Sequence, residues 1–325
     1  MYGTFTQFKI IFQCCLLVIL MWENLDKEKK KEFILSLDLV SGNMSDEAKL
    51  KLLYTISNHP EAYYEKKYIS KKDGTKRKLL VPKSILKSIQ RNILNHVFMG
   101  LSVSPYATAY VPHKSLKDNA CVHVGKKVIL KLDIKDFFTH IDFELLYRVL
   151  TNSILPPSVK VLLLKFCTYE DYLPQGAPTS PYLSNLAMKN FDSYIGKYCM
   201  DRNISYTRYS DDLTFSGDFQ VKDLIRKVDA FLDTFGFSLN EEKTRMLRQN
   251  HRQIVTGVVV NKKVNAPKAL RTRIRQEMYY IKKYGIDDKT KLSILGKINY
   301  VLSLNPNQEE FQEYKKYLNR EEVSV

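Results

Sequence analysis

The chain has 325 residues, 44% of them hydrophobic, and 51 Lys and Arg against 35 Asp and Glu, for a net charge of +16. These values exclude a disordered chain and a single small core, and point to two or three subdomains with a polyanionic partner, most simply nucleic acid. Five scattered cysteines (Cys14, Cys15, Cys121, Cys167, Cys199) without Cys-x-x-Cys spacing exclude a zinc ribbon and a disulfide framework, and fit a reducing, cytoplasmic setting.

The longest apolar run, Ile10 to Trp22 broken by Gln13, has thirteen residues. A bilayer span needs roughly 20, so no membrane partner is expected. A signal-peptide core would need more early charge than Lys9 and an Ala-x-Ala-like site, and neither is present. A translation start at Met21 or a buried helix is preferred for residues 1–22. Residues 23–60 read as helical, with Ser45 as an N-cap before Asp46 and Glu47. Tyr63 to Ser70 and Thr75 to Val81 read as a hairpin around Asp73-Gly74, with basic arms. Ile85, Ile89, Ile93 and Val97 recur every four residues, so 83–99 forms an amphipathic helix showing Lys83, Lys87 and Arg91 on its other face. That face is either solvated or in contact with nucleic acid.

Residues 101–126 read as loop, punctuated by Pro105, Pro112 and Gly125. Lys127 to Ile134 is strand-like and contains Asp133. Helices are expected at 142–152 and 157–168, divided at Pro156-Pro157. Leu173 to Pro181 is a rigid turn opening one long helix to about Cys199, with Pro178 and Thr179 suited to its first positions. Ile204 to Arg208 and Leu213 to Ser216 are the arms of a hairpin tipped by Tyr209-Ser210-Asp211-Asp212. A helix from Val221 to Phe235, paired short strands through Ile254 to Val260 and a turn at Asn261 to Asn265 follow. From Pro267 the pattern is helical, interrupted at Gly285 and Pro306. Strands in the middle and helices on both flanks make an α+β chain.

The basic excess lies in two windows. Residues 66–91 hold ten Lys and Arg against Asp73 alone, and 262–291 hold ten against Glu277, Asp287 and Asp288; together they account for the whole net charge. They flank an acidic centre. Adjacent Asp211 and Asp212 repel each other and resist burial unless a cation lies between them. With Asp133 they would form an oxygen-ligand site for two divalent cations roughly 3.5–4 Å apart, able to activate a hydroxyl and stabilise a leaving group in an in-line displacement. Taken alone, Asp-Asp is equally a polar hairpin turn.

Five segments in this order (Arg77 to Pro82, Asp133 to Phe138, Leu173 to Pro181, Tyr209 to Asp212, Gly236 to Thr244) resemble the reverse transcriptases. The resemblance implies a right-hand polymerase with mostly helical fingers, an antiparallel-sheet palm and a helical thumb. Fingers and N-terminal helices would take residues 23–126, the palm 127–264 (143–175 partly fingers) and an RNA-binding thumb 265–325. It implies Asp133, Asp211, Asp212 and the Ile134 carbonyl as ligands of two Mg2+ ions, with Mn2+ as a substitute. Arg77, with Lys71 or Lys72, would hold the incoming triphosphate, Gln175 the nucleotide sugar and templating pair, and Phe138 would gate against a ribose 2′-OH. Of Phe137 and Phe138, one is expected in the core. Lys243 is either a general acid toward pyrophosphate or a solvated lysine. Ser210 departs from the family's usual alanine, a change small enough to fit.

Asn119-Ala-Cys-Val-His123 and Val255-Thr256-Gly257 resemble two elements of the bacterial retron reverse transcriptases. Asn119, His123, Val255, Thr256 and Gly257 are therefore expected at the RNA, although His123 could be a satisfied loop histidine and Gly257 a strand glycine beside a bulge. Lys268, Arg271, Arg273 and Arg275 would grip an RNA stem-loop by shape and backbone. The resemblance implies a cognate non-coding RNA as template and primer, dNTPs, a branched RNA–DNA product and a separate effector protein in antiphage defence. The alternatives are a reverse transcriptase of the group II intron or diversity-generating kind, a template-independent polymerase, and an inactive RNA-binding protein with a polymerase fold.

Overall fold

A computed structural model describes residues 22–70 and 74–320. Along the chain, α1 (Lys27–Ser36) and α2 (Asp46–Asn58) precede the hairpin β1 (Tyr64–Ser70) and β2 (Lys76–Pro82). Helices α3 (Ser84–His96) and α4 (Leu116–Cys121) lead to β3 (Val128–Asp133). Helices α5 (Phe143–Val149), α6 (Pro157–Cys167), α7 (Ser180–Ala187) and α8 (Lys189–Met200) follow, then the hairpin β4 (Ser205–Tyr209) and β5 (Asp212–Gly217) and helix α9 (Val221–Asp233). Strands β6 (Arg245–Arg248), β7 (Ile254–Val255) and β8 (Val258–Val259) precede the last three helices, α10 (Lys268–Tyr284), α11 (Asp288–Leu304) and α12 (Glu309–Arg320). The chain is α+β, and its described residues fall into two compact units. One takes residues up to 105, 134–193 and 231–238; the other takes 106–133, 194–230 and 239 onward.

In the first unit, three helices start where a side-chain oxygen satisfies a free N–H: Asp26 accepts from Lys29, Ser45 from Ala48 and Asp142 from Leu145. Each such cap stabilises its helix by about 1 kcal/mol. Strands β1 and β2 pair antiparallel from Tyr64 opposite Pro82 to Ser70 opposite Lys76. Helix α3 buries Leu86, Ile89, Gln90 and Ile93, a face rotated from the expected one, so that Ile85 and Val97 are only half-buried. The reason is Gln90, a polar residue that the apolar pattern skips: its amide donates to the Tyr64 hydroxyl and the Phe166 carbonyl, both at 2.7 Å. The expected long helix to Cys199 is divided at Met188, whose φ of −85° and ψ of 0° tighten the turn between α7 and α8.

In the second unit, the sheet runs β4-β5-β3-β6, antiparallel throughout. Ile129 and Leu130, neighbours pointing to opposite faces of the central strand β3, are both fully buried, so the sheet is covered on both sides. Tyr206 and Phe215 are cross-strand partners and stack at 4.9 Å. The last three helices pack Ile274, Met278, Ile298, Val301 and Phe311 against Val255, Val258 and Ala120 in one continuous core. Helix α10 ends at Gly285, whose φ of +79° favours glycine, as its position in the sequence predicts. Two elements escape the sequence pattern. Helix α4, inside the expected loop, is set by a capping box between Ser115 and Asp118. Strand β6 is largely exposed and lacks the alternation that would reveal it.

Candidate active site

The centre of the second unit is the tip of the β4–β5 hairpin. Tyr209 pairs with Asp212, which leaves Ser210 and Asp211 as a two-residue loop. Such tight turns need a left-handed residue, usually Gly or Asn, and here Ser210 takes φ +62°. The conformation costs a serine about 1–2 kcal/mol. It is held by Arg208, whose fully buried guanidinium donates from Nη1 to the Ser210 carbonyl at 3.1 Å.

Asp133, at the end of β3, stands opposite Asp212 on β5. Burial raises the pKa of Asp211, and the charges of Asp133 and Asp212 raise it further. Burial also raises Asp212, with Lys131 opposing and Asp133 adding to the shift. The segment Gly236 to Thr244 folds back to this point: the Asn240 N–H donates to the Asp133 carbonyl at 2.8 Å. Three residues on, Lys243 Nζ donates to both Asp133 carboxylate oxygens, at 2.8 and 3.1 Å, which raises the lysine's pKa. On donor chemistry, these carboxylates suit a hard cation that would relieve their repulsion. As they stand, no three or more His, Cys, Asp or Glu among the described residues converge tightly enough to hold an ion, and Lys243 takes the place of a cation at Asp133.

The residues expected at the nucleotide lie mostly in the first unit. Arg77 is exposed on β2, while Lys71 and Lys72 lie outside the described residues. Gln175 is bound to the same strand, its carbonyl accepting from the Leu80 N–H at 2.8 Å. The next residue, Gly176, has φ +125°, and a Cβ there would come within 2.8 Å of the Leu80 carbonyl oxygen, so only glycine allows this approach. Phe137 is buried and Phe138 half-buried, their rings edge-on at 5.4 Å. One ring is core, as expected, and the other is left partly open. Ile134, next in the chain after Asp133, is buried.

The two short retron-like elements are built differently from the sequence expectation of RNA contact. The side chains of Asn119, His123 and Val255 are fully buried, so they face the interior. Asn119 donates from Nδ2 to Thr256 Oγ1 at 3.1 Å and accepts at Oδ1 from the Thr108 hydroxyl at 3.0 Å. His123 is a satisfied histidine, its Nδ1 against Ser216 Oγ at 2.7 Å and its Nε2 against Thr207 Oγ1 at 2.8 Å, so it joins both strands of the hairpin that carries Asp211 and Asp212. Thr256 and Gly257, the turn between β7 and β8, reach the surface, as do Cys121 and Val122 between the buried ends of the first element. Thr108, Thr207, Arg208 and Ser216, which hydrogen-bond around this hairpin, are not legible in the sequence, because nothing local distinguishes a buried polar residue from a solvated one.

On α10, Lys268 and Arg273 are exposed and Arg271 is half-buried. Arg273 pairs with Glu277 at 2.9 Å, and Arg275 forks onto Glu310 at 2.7–3.0 Å. Tyr279, Tyr280 and Tyr284, not singled out by the sequence pattern, are 59–70% exposed on the same helix. No described helix is long and apolar enough to cross a membrane.

Residues 69–296 match the family described as reverse transcriptase (RNA-dependent DNA polymerase). The retron Ec86 reverse transcriptase of Escherichia coli is 32% identical over 219 residues, covering 66% of this chain and 68% of that protein. The retron Ec83 reverse transcriptase of the same species is 31% identical over 270 residues, covering 77% and 86%. The chain belongs to the bacterial retron reverse transcriptases. A further relative in this family, the retron Mx65 reverse transcriptase of Myxococcus xanthus, is 34% identical over 74% of the chain, a match spanning 61% of that enzyme's length. Among solved structures, a Candida albicans telomerase in complex with the TWJ fragment of telomeric RNA aligns with a TM-score of 0.45 at 12% identity, over 79% of this chain and 56% of that one. A foamy viral protease-reverse transcriptase in complex with double-stranded DNA aligns with a TM-score of 0.46 at 16% identity, over 80% and 40%.

Proposed function

We propose that this retron reverse transcriptase is an RNA-directed DNA polymerase that copies part of a cognate structured non-coding RNA into single-stranded DNA, joined to the RNA as a branched product. The observation that carries this reading is the register of Asp133 opposite Asp212, with Asp211 beside it at a strained two-residue turn. Backbone strain and clustered carboxylates are costly, and they persist where chemistry needs them.

Asp133, Asp211, Asp212 and the Ile134 carbonyl would hold two divalent cations, Mg2+ or Mn2+, which when bound supply Lewis-acid activation of the attacking hydroxyl and charge stabilisation of the departing pyrophosphate. Lys243 holds Asp133 in place before loading and, once displaced, is a cation available to the pyrophosphate. Arg77, with Lys71 or Lys72, grips the triphosphate; Gln175 and the open ring of Phe138 read the sugar. Lys268, Arg271, Arg273 and Arg275 grip the RNA backbone. Exposed ion pairs such as Arg273–Glu277 are worth at most about 1 kcal/mol, so phosphate can displace the carboxylate. Tyr279, Tyr280 and Tyr284 offer rings on which unpaired bases can stack. The setting we propose is cytoplasmic, within an antiphage system that includes a separate effector protein.

The test is co-expression of the chain with its flanking genomic DNA. A short single-stranded DNA that is lost with Asp212→Asn and stays attached to RNA until a debranching enzyme is added supports the reading. Absence of that DNA, with primer extension on an RNA template by the purified chain, would make it a reverse transcriptase outside the branched-product scheme. Absence of both would leave an RNA-binding protein with a polymerase fold.

A further inference from the structure

The turn between β7 and β8 carries an unusual backbone. Thr256 has φ +45° and Gly257 φ +83°, the pair of left-handed residues that a tight hairpin requires. Asn or Gly ordinarily fills the first of these positions, and a β-branched residue there is strained. What threonine provides at that position is an oxygen facing inward, which takes a hydrogen bond from the fully buried Asn119, 137 residues away in the chain.

That bond is the outer end of a continuous path within the second unit. Asn119 Oδ1 accepts from the Thr108 hydroxyl at 3.0 Å, and the Thr108 N–H donates to the Arg208 carbonyl at 2.9 Å. The Arg208 N–H in turn donates to the Tyr106 carbonyl at 2.8 Å, so the strand is bonded to 106–108 through both of its backbone groups at this residue. Arg208 then reaches forward from Nη1 to the carbonyl of Ser210, the left-handed residue next to Asp211. Beneath the same hairpin, His123 bridges Thr207 on β4 and Ser216 on β5. Asn119, His123 and Arg208 are fully buried, so the inner part of the path is walled from water and breaking a bond at one of these three leaves an unsatisfied group, while Thr256 at its outer end is half-buried.

We propose that Asn119 and Thr256 are positioning residues for polymerisation: through Thr108 and Arg208 their hydrogen bond fixes the Ser210–Asp211 turn, with His123 clamping the two strands below it. The inference rests on the polymerase reading. It gives the two retron-like elements an internal task, coupling the exposed Thr256–Gly257 turn to the carboxylate hairpin. Thr256 is strained because only a hydroxyl in that backbone conformation completes the path.

The experiment uses the full chain, with Thr256→Val, which keeps shape and removes the hydroxyl, and Thr256→Ser, which keeps the hydroxyl. Extension of an oligo(dT) primer on poly(rA) gives kcat and the KM for dTTP. Fluorescence anisotropy gives affinity for that duplex, and hydrogen exchange without substrate follows the amides of 205–217. Thr256→Val is expected to lower kcat about five- to tenfold, as for loss of one hydrogen bond. It should quicken exchange in the hairpin while leaving KM and duplex affinity unchanged, and Thr256→Ser should restore both. Unchanged kcat and hairpin exchange in Thr256→Val would overturn the proposal. So would weakened duplex affinity with unchanged exchange, which would make the turn an RNA contact. A wild-type chain that extends no primer and yields no DNA on co-expression would overturn the polymerase reading instead, and the exchange data would still decide whether the brace exists.

Discussion

Asp133 on β3 and Asp212 on β5 stand directly opposite each other in antiparallel register. Like charges in that relation destabilise a sheet, and here burial raises the cost. Lys131 and Lys243 offset part of it.

The sign of that shift fixes how the pair responds to pH. A carboxyl whose pKa is raised by folding binds more protons in the folded than in the unfolded chain. Stability therefore falls as pH rises from the ordinary carboxylate value of about 4 through the raised one. Asp212→Asn removes the charge, so in metal-free buffer its Tm should exceed that of wild type at neutral pH, with the gap closing on acidification. DNA synthesis should fall to background while RNA binding persists. Calorimetry across pH and a primer-extension assay check both halves, and retained synthesis would remove Asp212 from the metal site.

His123 has the opposite sign. Burial, with Lys126 adding to it, pushes its pKa down to about 3, so the folded ring stays neutral while the unfolded chain takes up a proton below about 6.5. The stability it contributes is complete above that value and is lost as pH falls toward 3. The slope is about 1.4 kcal/mol per pH unit. Urea midpoints in that range should shift for wild type, and His123→Gln should lack the His123 component.

Phe138→Ala should open the space beside its partly exposed ring and admit ribonucleotides, raising the rNTP-to-dNTP incorporation ratio. The buried partner Phe137 is core, and its replacement by alanine should cost about 3–5 kcal/mol of stability. Sugar discrimination that survives Phe138→Ala would move the gate elsewhere.

Reversing charge at Arg271 and Arg273 should weaken RNA binding. For each phosphate no longer neutralised, the slope of log affinity against log salt should flatten by about 0.7–0.9. Titrations at several salt concentrations measure it, and unchanged affinity would exclude these two arginines as RNA contacts.

Gly176→Ala should destabilise the first unit by about 1–3 kcal/mol, from a left-handed backbone and a forced approach to the Leu80 carbonyl. Thermal denaturation reads it, and a neutral effect would mean that the turn carrying Gln175 can move off β2.

What the sequence by itself determined is what short-range chemistry encodes. The cap at Ser45, the break at Gly285, the hairpin arms around Ser210 and the three acidic residues all follow from neighbours within a few positions. The two basic windows were equally plain, because charge can be counted without a fold. The rotated face of α3 was not legible, because a glutamine reads as polar until Tyr64 and the Phe166 carbonyl satisfy it. Strand β6 was hidden because an exposed edge lacks alternation. The interior placement of Asn119 and His123 was decided only by tertiary structure. Asn119 meets Thr256 across 137 residues, and His123 meets Thr207 and Ser216 across 84 and 93. A short polar element reads the same whether it faces RNA or the interior. Sheet register and burial choose between the two, since a buried polar group must find its partner inside the protein.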